Sequence, residues 1–293
     1  MTIVVASGKG GTGKTTVAVG LAQSLPGTVS LLDCDVDAPN THLFLPADEP
    51  ETHARSDRFT VPVPEIDPDI CTGCGACSRV CAFGALAVVK RTALFFPELC
   101  HACGACTLVC PEGAITEVPH AIGTVSERTG RRFHHASGEL DVGRTLAPPL
   151  IRAVKERASG DTTIIDASPG TTCPVVEAAR GADAGLLVTE NTPFGVHDLE
   201  LAAEVFRDLD IPAGIVVNRS GIGYDDEARL EDVSARFGFP ILLRIPFSER
   251  IARDYANGIS IVESEPALGD RFRALHQTLA QMAARQADGA VRS

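Results

Sequence analysis

The first residues of the chain with an evident chemical use form a glycine-rich stretch, residues 8–16. It contains the pattern G-x-x-x-x-G-K-T, in which glycines let successive backbone N–H groups point at an anion at a helix N-terminus. Lys14 supplies a charge for the β- and γ-phosphates of a nucleotide, and the Thr15 hydroxyl is a ligand for Mg²⁺. The sequence therefore predicts a phosphate-binding loop lined by Gly8, Gly10, Gly11, Thr12, Gly13, Lys14, Thr15 and Thr16.

An acidic residue, Asp166, follows the apolar run at residues 162–165. Ligands bind beyond the carboxyl ends of the strands in a doubly wound sheet. We therefore expect Asp166 to lie beside the phosphate loop and to contact Mg²⁺ through water. The motif continues through Pro169 to Gly170, whose backbone is expected to sense the γ-phosphate.

A second chemistry is indicated by eight of the ten cysteines, which follow C-x2-C-x2-C-x3-C twice with an offset of 29 residues. Three thiolates with this spacing surround an iron-sulfur cubane, whose fourth ligand comes from the other half of such a duplication. A zinc site uses four ligands, so eight in this register favour two [4Fe-4S] clusters over zinc. The cysteines are Cys71, Cys74, Cys77, Cys81, Cys100, Cys103, Cys106 and Cys110.

Lys9 lies five residues before Lys14 and adds a second lysine to the loop. With it the chain resembles the deviant Walker A ATPases of the MinD superfamily. These include MinD, ParA, the Mrp-type iron-sulfur carriers and the nitrogenase iron protein. The resemblance implies that Lys9 reaches the nucleotide of a partner subunit, in a homodimer or in a heterodimer with a related ATPase. A solvated loop lysine is the alternative interpretation.

The same resemblance implies roles for further residues. In such ATPases the second aspartate of a D-x-D motif orients the attacking water, which corresponds to Asp35, while Asp33 corresponds to a partner of Mg²⁺. Asn218 corresponds to the residue that recognises adenine through its side-chain amide, and Pro246 lies in the purine-side loop. Asp37 could take either aspartate role, with helix capping as its alternative.

The cysteine-rich stretch, residues 65–118, resembles a bacterial two-cluster ferredoxin along its whole length. Ala82 departs from the pattern, since proline is expected there, but this removes no ligand. The resemblance implies one cluster on Cys71, Cys74, Cys77 and Cys110 and a second on Cys81, Cys100, Cys103 and Cys106. We predict an α/β fold with a doubly wound, mostly parallel P-loop sheet (residues 1–63 and 118–293) and an inserted small α+β ferredoxin-type domain (residues 64–117).

Composition limits the partners and the location. A formal net charge of −12 and an isoelectric point near 5.1 argue against nonspecific nucleic-acid binding. No apolar run approaches the roughly 20 residues that cross a bilayer, and no signal peptide precedes the first strand, so we expect a cytoplasmic protein without membrane association. In that compartment the cysteines indicate metal or redox chemistry before disulfides.

The stretches between the motifs predict ordinary structural elements. The polar, proline-bearing residues 47–64 predict a linker, and residues 122–140 predict a β-hairpin. We expect its histidines, His134 and His135, to be solvated rather than to bind metal. Residues 266–287 place apolar side chains on one helical face, which favours core packing over membrane binding.

Together these features predict an ATP-hydrolysing iron-sulfur protein. Nucleotide-driven dimerisation would gate electron transfer through two [4Fe-4S] clusters to or from a redox partner. One alternative is an iron-sulfur carrier of the Mrp type, and a second is a MinD- or ParA-like positioning ATPase whose ferredoxin is a docking module. Cys173 has a position similar to that of the cluster-clamping cysteine of the nitrogenase iron protein, but we expect a small buried or interface thiol.

Overall fold

A computed structural model of the chain describes residues 1–45, 53–222 and 226–292. Its strands are β1 (Thr2–Ala6), β2 (Val29–Cys34), β3 (His53–Ile66), β4 (Leu86–Val89), β5 (Thr92–Phe95), β6 (Ile115–Thr129), β7 (Phe133–Leu140), β8 (Thr162–Ala167), β9 (Ala184–Glu190), β10 (Ala213–Ser220) and β11 (Ile241–Pro246). Nine of them form one sheet in the order β11-β10-β9-β1-β8-β2-β7-β6-β3, and β4 pairs with β5 in a separate hairpin.

The sheet is parallel from β11 through β7, whereas β6 and β3 are antiparallel to their neighbours. The predicted α/β fold with a mostly parallel P-loop sheet is therefore confirmed. The helices are α1 (Lys14–Ser24), α2 (Ala76–Val80), α3 (Ala105–Leu108), α4 (Ala147–Lys155), α5 (Cys173–Ala179), α6 (Pro193–Asp208), α7 (Glu227–Phe237), α8 (Glu249–Ala256), α9 (Ile261–Ser264) and α10 (Ala267–Arg292), with short 3₁₀ helices at Thr41–Phe44 and Pro97–Leu99.

Helices cover both faces of the sheet. Along β1 the side chains of Ile3 and Val5 join a core formed with α1 and α10, while Val4 joins the opposite core with α4 to α7. This alternation follows from the two-residue period of a strand, and burial of both faces gives the central strands continuous apolar sequences. On α10 the side chains of Phe272 and Leu279 are fully buried, so the predicted core packing of the C-terminal helix is confirmed.

The cysteine-rich segment, defined here as residues 67–114, connects β3 to β6 and contains α2, α3 and the β4–β5 hairpin. The two long strands pair from His53 opposite Thr129 to Ile66 opposite Ile115. The neighbouring strand β7 pairs with β6 from Gly123 to Thr129. The far ends of β3 and β6 therefore project beyond the sheet as a two-stranded arm that carries the cysteine-rich segment.

The predicted linker is wrong for residues 53–64, which belong to β3, while residues 47–52 fall outside the described part of the chain. Local composition suggested a linker because this stretch contains Pro62 and Pro64. Proline is tolerated on edge strands, where its missing N–H faces away from the ladder. In the described part of the chain β3 is the last strand of the sheet, so the two prolines are compatible with pairing to β6.

The hairpin predicted at residues 122–140 is confirmed by the pairing of β6 with β7. The expectation that its two histidines are solvated is wrong, because His134 is 3% and His135 is 2% exposed. Both faces of β7 are covered, because Ala136 packs in the core with α4 on one face and His135 lies against Thr41 on the other. Each histidine is instead hydrogen-bonded to neighbouring side chains.

Candidate nucleotide site and cysteine cavities

The phosphate-binding loop lies between the end of β1 and the start of α1. Gly11 and Gly13 have φ angles of +78° and +94°, a conformation that favours glycine. Gly8 is required for a different reason, since a Cβ atom there would lie 1.9 Å from the carbonyl oxygen of Asp198. Lys14 begins α1, and its side chain is 7% exposed. The loop therefore presents the N-terminal end of a helix, which attracts anions.

The metal side of the site is formed by α1 and the end of β8. Thr15 Oγ1 donates a hydrogen bond of 2.7 Å to Asp166 Oδ2. The other carboxylate oxygen, Asp166 Oδ1, is buried without a hydrogen-bond partner, and burial raises the pKa of this group. A buried carboxylate oxygen without a donor, beside a hydroxyl, fits a hard divalent cation such as Mg²⁺.

Asp35 lies at the mouth of the same site, with Oδ2 3.8 Å from Lys14 Nζ. Burial raises the pKa of Asp35 to about 6, although the nearby Lys14 opposes this shift. Asp33 is fully buried, and its carboxylate accepts four hydrogen bonds from the following loop. The structure therefore assigns Asp33 to holding that loop, and its predicted contact with Mg²⁺ stays a prediction.

A cavity of about 350 Å³ opens beside the phosphate-binding loop. Nine of the predicted site residues line it: Gly10, Gly11, Gly13, Lys14, Thr15, Thr16, Asp35, Asn218 and Pro246. Gly170 is placed by a hydrogen bond of 2.9 Å from its N–H to the carbonyl oxygen of Ser7. Thr12 is buried behind the loop, where its carbonyl oxygen accepts a hydrogen bond of 2.8 Å from Asn218 Nδ2.

Asn218 is thus engaged by the protein at both ends of its amide, because Oδ1 also accepts a hydrogen bond from the N–H of Arg219. Its predicted recognition of adenine requires one of these bonds to be exchanged for the base. Eight further lining residues were not predicted: Asn40, Arg219, Ile245, Phe247, Ser248, Ile251, Ala252 and Tyr255. Seven of them lie within nine residues of Asn218 or Pro246, so extending the prediction along the chain from these two positions would have found them.

Lys9 lies outside the lining of this cavity. Its Nζ is 3.4 Å from a carboxylate oxygen of Glu190, at the end of β9. Arg219 Nη1 contacts the other oxygen of Glu190 at 2.6 Å. Within one chain, the side chain of Lys9 is therefore paired and does not reach the phosphate side of its own site.

Two further cavities lie in the cysteine-rich segment, and each is lined by four cysteines. The distal cavity contains Cys71, Cys74, Cys77 and Cys110, and Ile66 and Ile115 at the tip of the arm also line it. The proximal cavity contains Cys81, Cys100, Cys103 and Cys106, and Pro62 and Pro64, nearer the sheet, also line it. The structure thus brings together the two crosswise sets that the duplication predicts.

Backbone N–H groups approach some of these sulfur atoms. Ala85 N–H donates to Cys81 Sγ at 3.3 Å, Ala114 N–H donates to Cys110 Sγ at 3.3 Å, and Ala102 N–H donates to Cys100 Sγ at 3.4 Å. Such bonds favour the thiolate over the thiol. The two remaining cysteines stand apart, since Cys34 is buried in β2 and Cys173 is exposed at the start of α5, not buried as one of the two predictions had it.

The nucleotide site and its fold can be compared with known proteins. Residues 3–261 match the family described as the CobQ/CobB/MinD/ParA nucleotide binding domain. This chain belongs to that family. Two relatives from Methanocaldococcus jannaschii, the uncharacterised proteins MJ0578 and MJ0579, are each 31% identical to it. The first matches over 95% of this chain and 96% of its own length, and the second over 90% and 92%.

As a CobQ/CobB/MinD/ParA family member, the protein is a P-loop nucleotide-binding ATPase. Its fold resembles that of the septum site-determining protein MinD from Pyrococcus horikoshii OT3, which was solved with Mg-ADP. That structure aligns with a TM-score of 0.53 and 19% identity over 97% of this chain and 95% of the other. Across the described residues, no helix is long and apolar enough to cross a membrane.

Proposed function

We propose that this ATPase uses ATP binding and hydrolysis to gate electron transfer through two [4Fe-4S] clusters in an inserted ferredoxin domain, residues 64–117. The observation that carries the proposal is the pair of cavities in the cysteine-rich segment, each lined by four cysteines drawn from both halves of the duplication. When bound, such clusters supply one-electron transfer at potentials set by hydrogen bonds to sulfur and by solvent exposure.

The donor sets fit iron-sulfur clusters better than single metal ions. All four candidate ligands at each cavity are thiols, and neither Cys34 nor Cys173 lines either cavity. Across the described ranges, no three or more His, Cys, Asp or Glu side chains meet the geometry of a site for one ion. Each set of four thiols draws on both halves of the duplication, as the two-cluster pattern requires, and this supports clusters over zinc.

The nucleotide chemistry follows from the residues around the phosphate-binding loop. Thr15 and Asp166 would hold Mg²⁺, Lys14 would neutralise the β- and γ-phosphates, and Asp35 would orient the attacking water. Asn218 and Pro246 would contact the base. In a site with preorganised charges of this kind, the positioning of the reacting groups supplies most of the catalysis of phosphoryl transfer.

Dimerisation would bring Lys9 to the nucleotide of a second subunit. The partner would be a second copy of this chain or a related ATPase, and the presence of two relatives in one organism is compatible with the second choice. An unidentified redox protein would exchange electrons with the exposed tip of the arm. The net charge of −12 favours neither nucleic acid nor an anionic membrane as partner.

A short structural path supports coupling between the nucleotide and the proximal cavity. Val36 follows Asp35 in the chain, and its carbonyl oxygen accepts a hydrogen bond of 2.9 Å from the N–H of Leu140. The side chain of Leu140 packs in a small apolar cluster that includes Cys100 and the buried Val61. A change at Asp35 would therefore reach a cysteine of the proximal cavity through one hydrogen bond and the apolar cluster that both Leu140 and Cys100 pack against.

The proposal is tested by purifying the protein anaerobically and measuring iron, zinc and acid-labile sulfide. We expect about eight iron atoms per chain, and about half of that in Cys110→Ser or Cys81→Ser, each of which loses one cluster. Cys173→Ser is the matched control and should retain all of the iron. Zinc in place of iron would contradict the ferredoxin assignment.

Gating is tested by EPR of the reduced protein during a potentiometric titration, without nucleotide, with Mg-ADP and with a nonhydrolysable ATP analogue. We expect the midpoint or spin coupling of a cluster to change with the γ-phosphate. If neither the midpoint nor the spin coupling changes with nucleotide, the result would instead support a second function, that of a positioning ATPase whose ferredoxin is a docking module. The fold shared with MinD favours this second candidate. Transfer of iron and sulfide to an apo-protein would support the Mrp-type carrier.

A further inference from the structure

One buried histidine, His135 on β7, touches the loop that carries Asp35. His135 Nε2 lies 2.9 Å from the hydroxyl oxygen of Thr41, which itself lies 2.9 Å from Asp33 Oδ2. The same Asp33 carboxylate receives the N–H of Asp35 at 3.1 Å and the N–H of Asn40 at 2.8 Å. Asp33 thus fixes both ends of residues 35–41, and His135 fixes the Thr41 hydroxyl that completes this set.

The direction of each hydrogen bond follows from counting protons. Asp33 Oδ2 already accepts the backbone N–H groups of Asn40 and Thr41, so it is an acceptor for the Thr41 hydroxyl as well. A hydroxyl carries one proton, and once this is donated to Asp33 its oxygen can only accept. His135 therefore donates from Nε2–H, which fixes its tautomer.

We propose that His135 is a positioning residue for ATP hydrolysis, holding the Thr41 hydroxyl so that residues 35–41 keep Asp35 at the γ-phosphate side of the site. His135 is not among the residues that line the nucleotide cavity, and its hydrogen bond goes to Thr41. Loss of its N–H should therefore affect the hydrolytic step and leave ground-state nucleotide binding unchanged, as expected for an interaction that matters in the transition state.

His134 provides a matched control on the same strand. It is equally buried, but it is hydrogen-bonded to Ser30 at 3.1 Å and to Glu127 at 2.8 Å, away from residues 35–41. Because neighbouring side chains on a strand point to opposite faces, replacing His134 should cost folding stability without disturbing the loop that carries Asp35.

The experiment compares steady-state ATPase kinetics of His135→Leu, His135→Gln and His134→Leu. We expect His135→Leu to lower kcat about three- to tenfold, the size of one lost buried hydrogen bond, with KM for Mg-ATP within about twofold of the parent. His135→Gln retains an N–H donor and should recover most of kcat. His134→Leu should lower Tm with kcat unchanged. Equal loss of kcat in His135→Leu and His134→Leu, or none in either, would overturn the proposal.

A second variant covers the case in which His135→Leu does not fold. Thr41→Val removes the hydroxyl with little change in shape and should lower kcat by a similar factor. If Thr41 and His135 act as one chain of hydrogen bonds, kcat of the double variant Thr41→Val/His135→Gln should fall no further than kcat of Thr41→Val alone. If the reductions in kcat of the two single variants multiply in the double variant, His135 acts elsewhere. Faster hydrogen exchange of residues 35–41 in Thr41→Val is the expected accompanying signal.

Discussion

The ammonium group of Lys9 lies 3.4 Å from a carboxylate oxygen of Glu190 in its own chain and points away from the nucleotide cavity, which Lys9 does not line. Glu190 is also bound by Arg219, so its carboxylate holds two cations at the rim of the site. If Lys9 serves a partner's nucleotide, it must leave Glu190 first. The two side chains are 33% and 17% exposed, and an ion pair of that exposure is worth at most about 1 kcal/mol.

We therefore expect Glu190→Gln to tighten ATP-dependent dimerisation by up to about fivefold, because Lys9 no longer has to leave a carboxylate. Sedimentation velocity with a nonhydrolysable ATP analogue measures the dimer dissociation constant. Glu200→Gln is the control, since Glu200 binds Arg229 and Arg236 away from the site. A dimer that is weaker in Glu190→Gln than in the control would show that Glu190 contributes to the dimer itself.

The raised pKa of Asp35 predicts a pH dependence of stability in the nucleotide-free protein. Burial raises this pKa from 3.8 to about 6, so the folded state binds the proton more tightly than the unfolded chain does. The resulting stability is fully present below pH 3.8 and is lost as the pH rises through 6. Relative to Asp35→Asn, the parent protein should lose roughly 2–3 kcal/mol in free energy of unfolding between pH 4 and 7.

Denaturant unfolding at several pH values tests this, with the exposed Asp37 changed to Asn as control. Asp37→Asn should stay within about 0.5 kcal/mol of the parent. Asp35→Asn should be more stable than the parent at pH 7 and, under the catalytic role proposed for Asp35, should hydrolyse no ATP. Parallel pH profiles for Asp35→Asn and the parent would contradict the burial argument.

The glycines of the phosphate-binding loop differ in how much they tolerate a side chain. A Cβ at position 8 would lie 1.9 Å from the backbone oxygen of Asp198, whereas a Cβ at position 10 would lie 4.0 Å from its nearest neighbour, Pro169. We expect Gly8→Ala to lower the melting temperature by roughly 5–10 °C, because α6 or the loop must shift. Gly10→Ala should have a melting temperature close to that of the parent. Calorimetry of both variants measures the two melting temperatures.

Local motifs were sufficient to predict much of the site. The pattern G-x-x-x-x-G-K-T predicts a tight loop between a strand and a helix. An aspartate that directly follows an apolar strand of the same parallel sheet is predicted to lie beside that loop. The structure places Thr15 and Asp166 in contact accordingly. The cysteine spacing is a local signal of the same kind, because cysteines three residues apart can place their sulfur atoms around one cluster.

Other features depend on partners that are distant in the sequence. Pro62 and Pro64 suggest a linker by local composition, and they lie in a strand because residues 115–129 return to pair with it. His135 looks like a solvated polar residue on a hairpin, and it is buried because β2 supplies a third strand on its other side. Neither pairing leaves a local signal, so the contact between His135 and Thr41 could not be predicted from the sequence alone.

The packing of Leu140 predicts which cluster responds to nucleotide. Leu140 joins the backbone of Val36 to the apolar cluster that contains Cys100 of the proximal cavity. Glu98, two residues before Cys100, adds a second link to the sheet through Arg144 at 3.9 Å. By contrast, the distal cavity lies at the tip of the arm, and among the described residues none of its four cysteines belongs to that apolar cluster.

We therefore expect the nucleotide-dependent shift in midpoint potential to belong to the proximal cluster. In Cys110→Ser, which retains that cluster alone, the shift should persist, and in Cys81→Ser it should vanish. Adding Leu140→Ala to Cys110→Ser should reduce the shift by at least half, because the cavity left behind uncouples Val36 from Cys100. Leu140→Met conserves volume and should preserve the shift. A shift of equal size in the Leu140→Ala protein would contradict this path and favour coupling through the proposed dimer contact of Lys9.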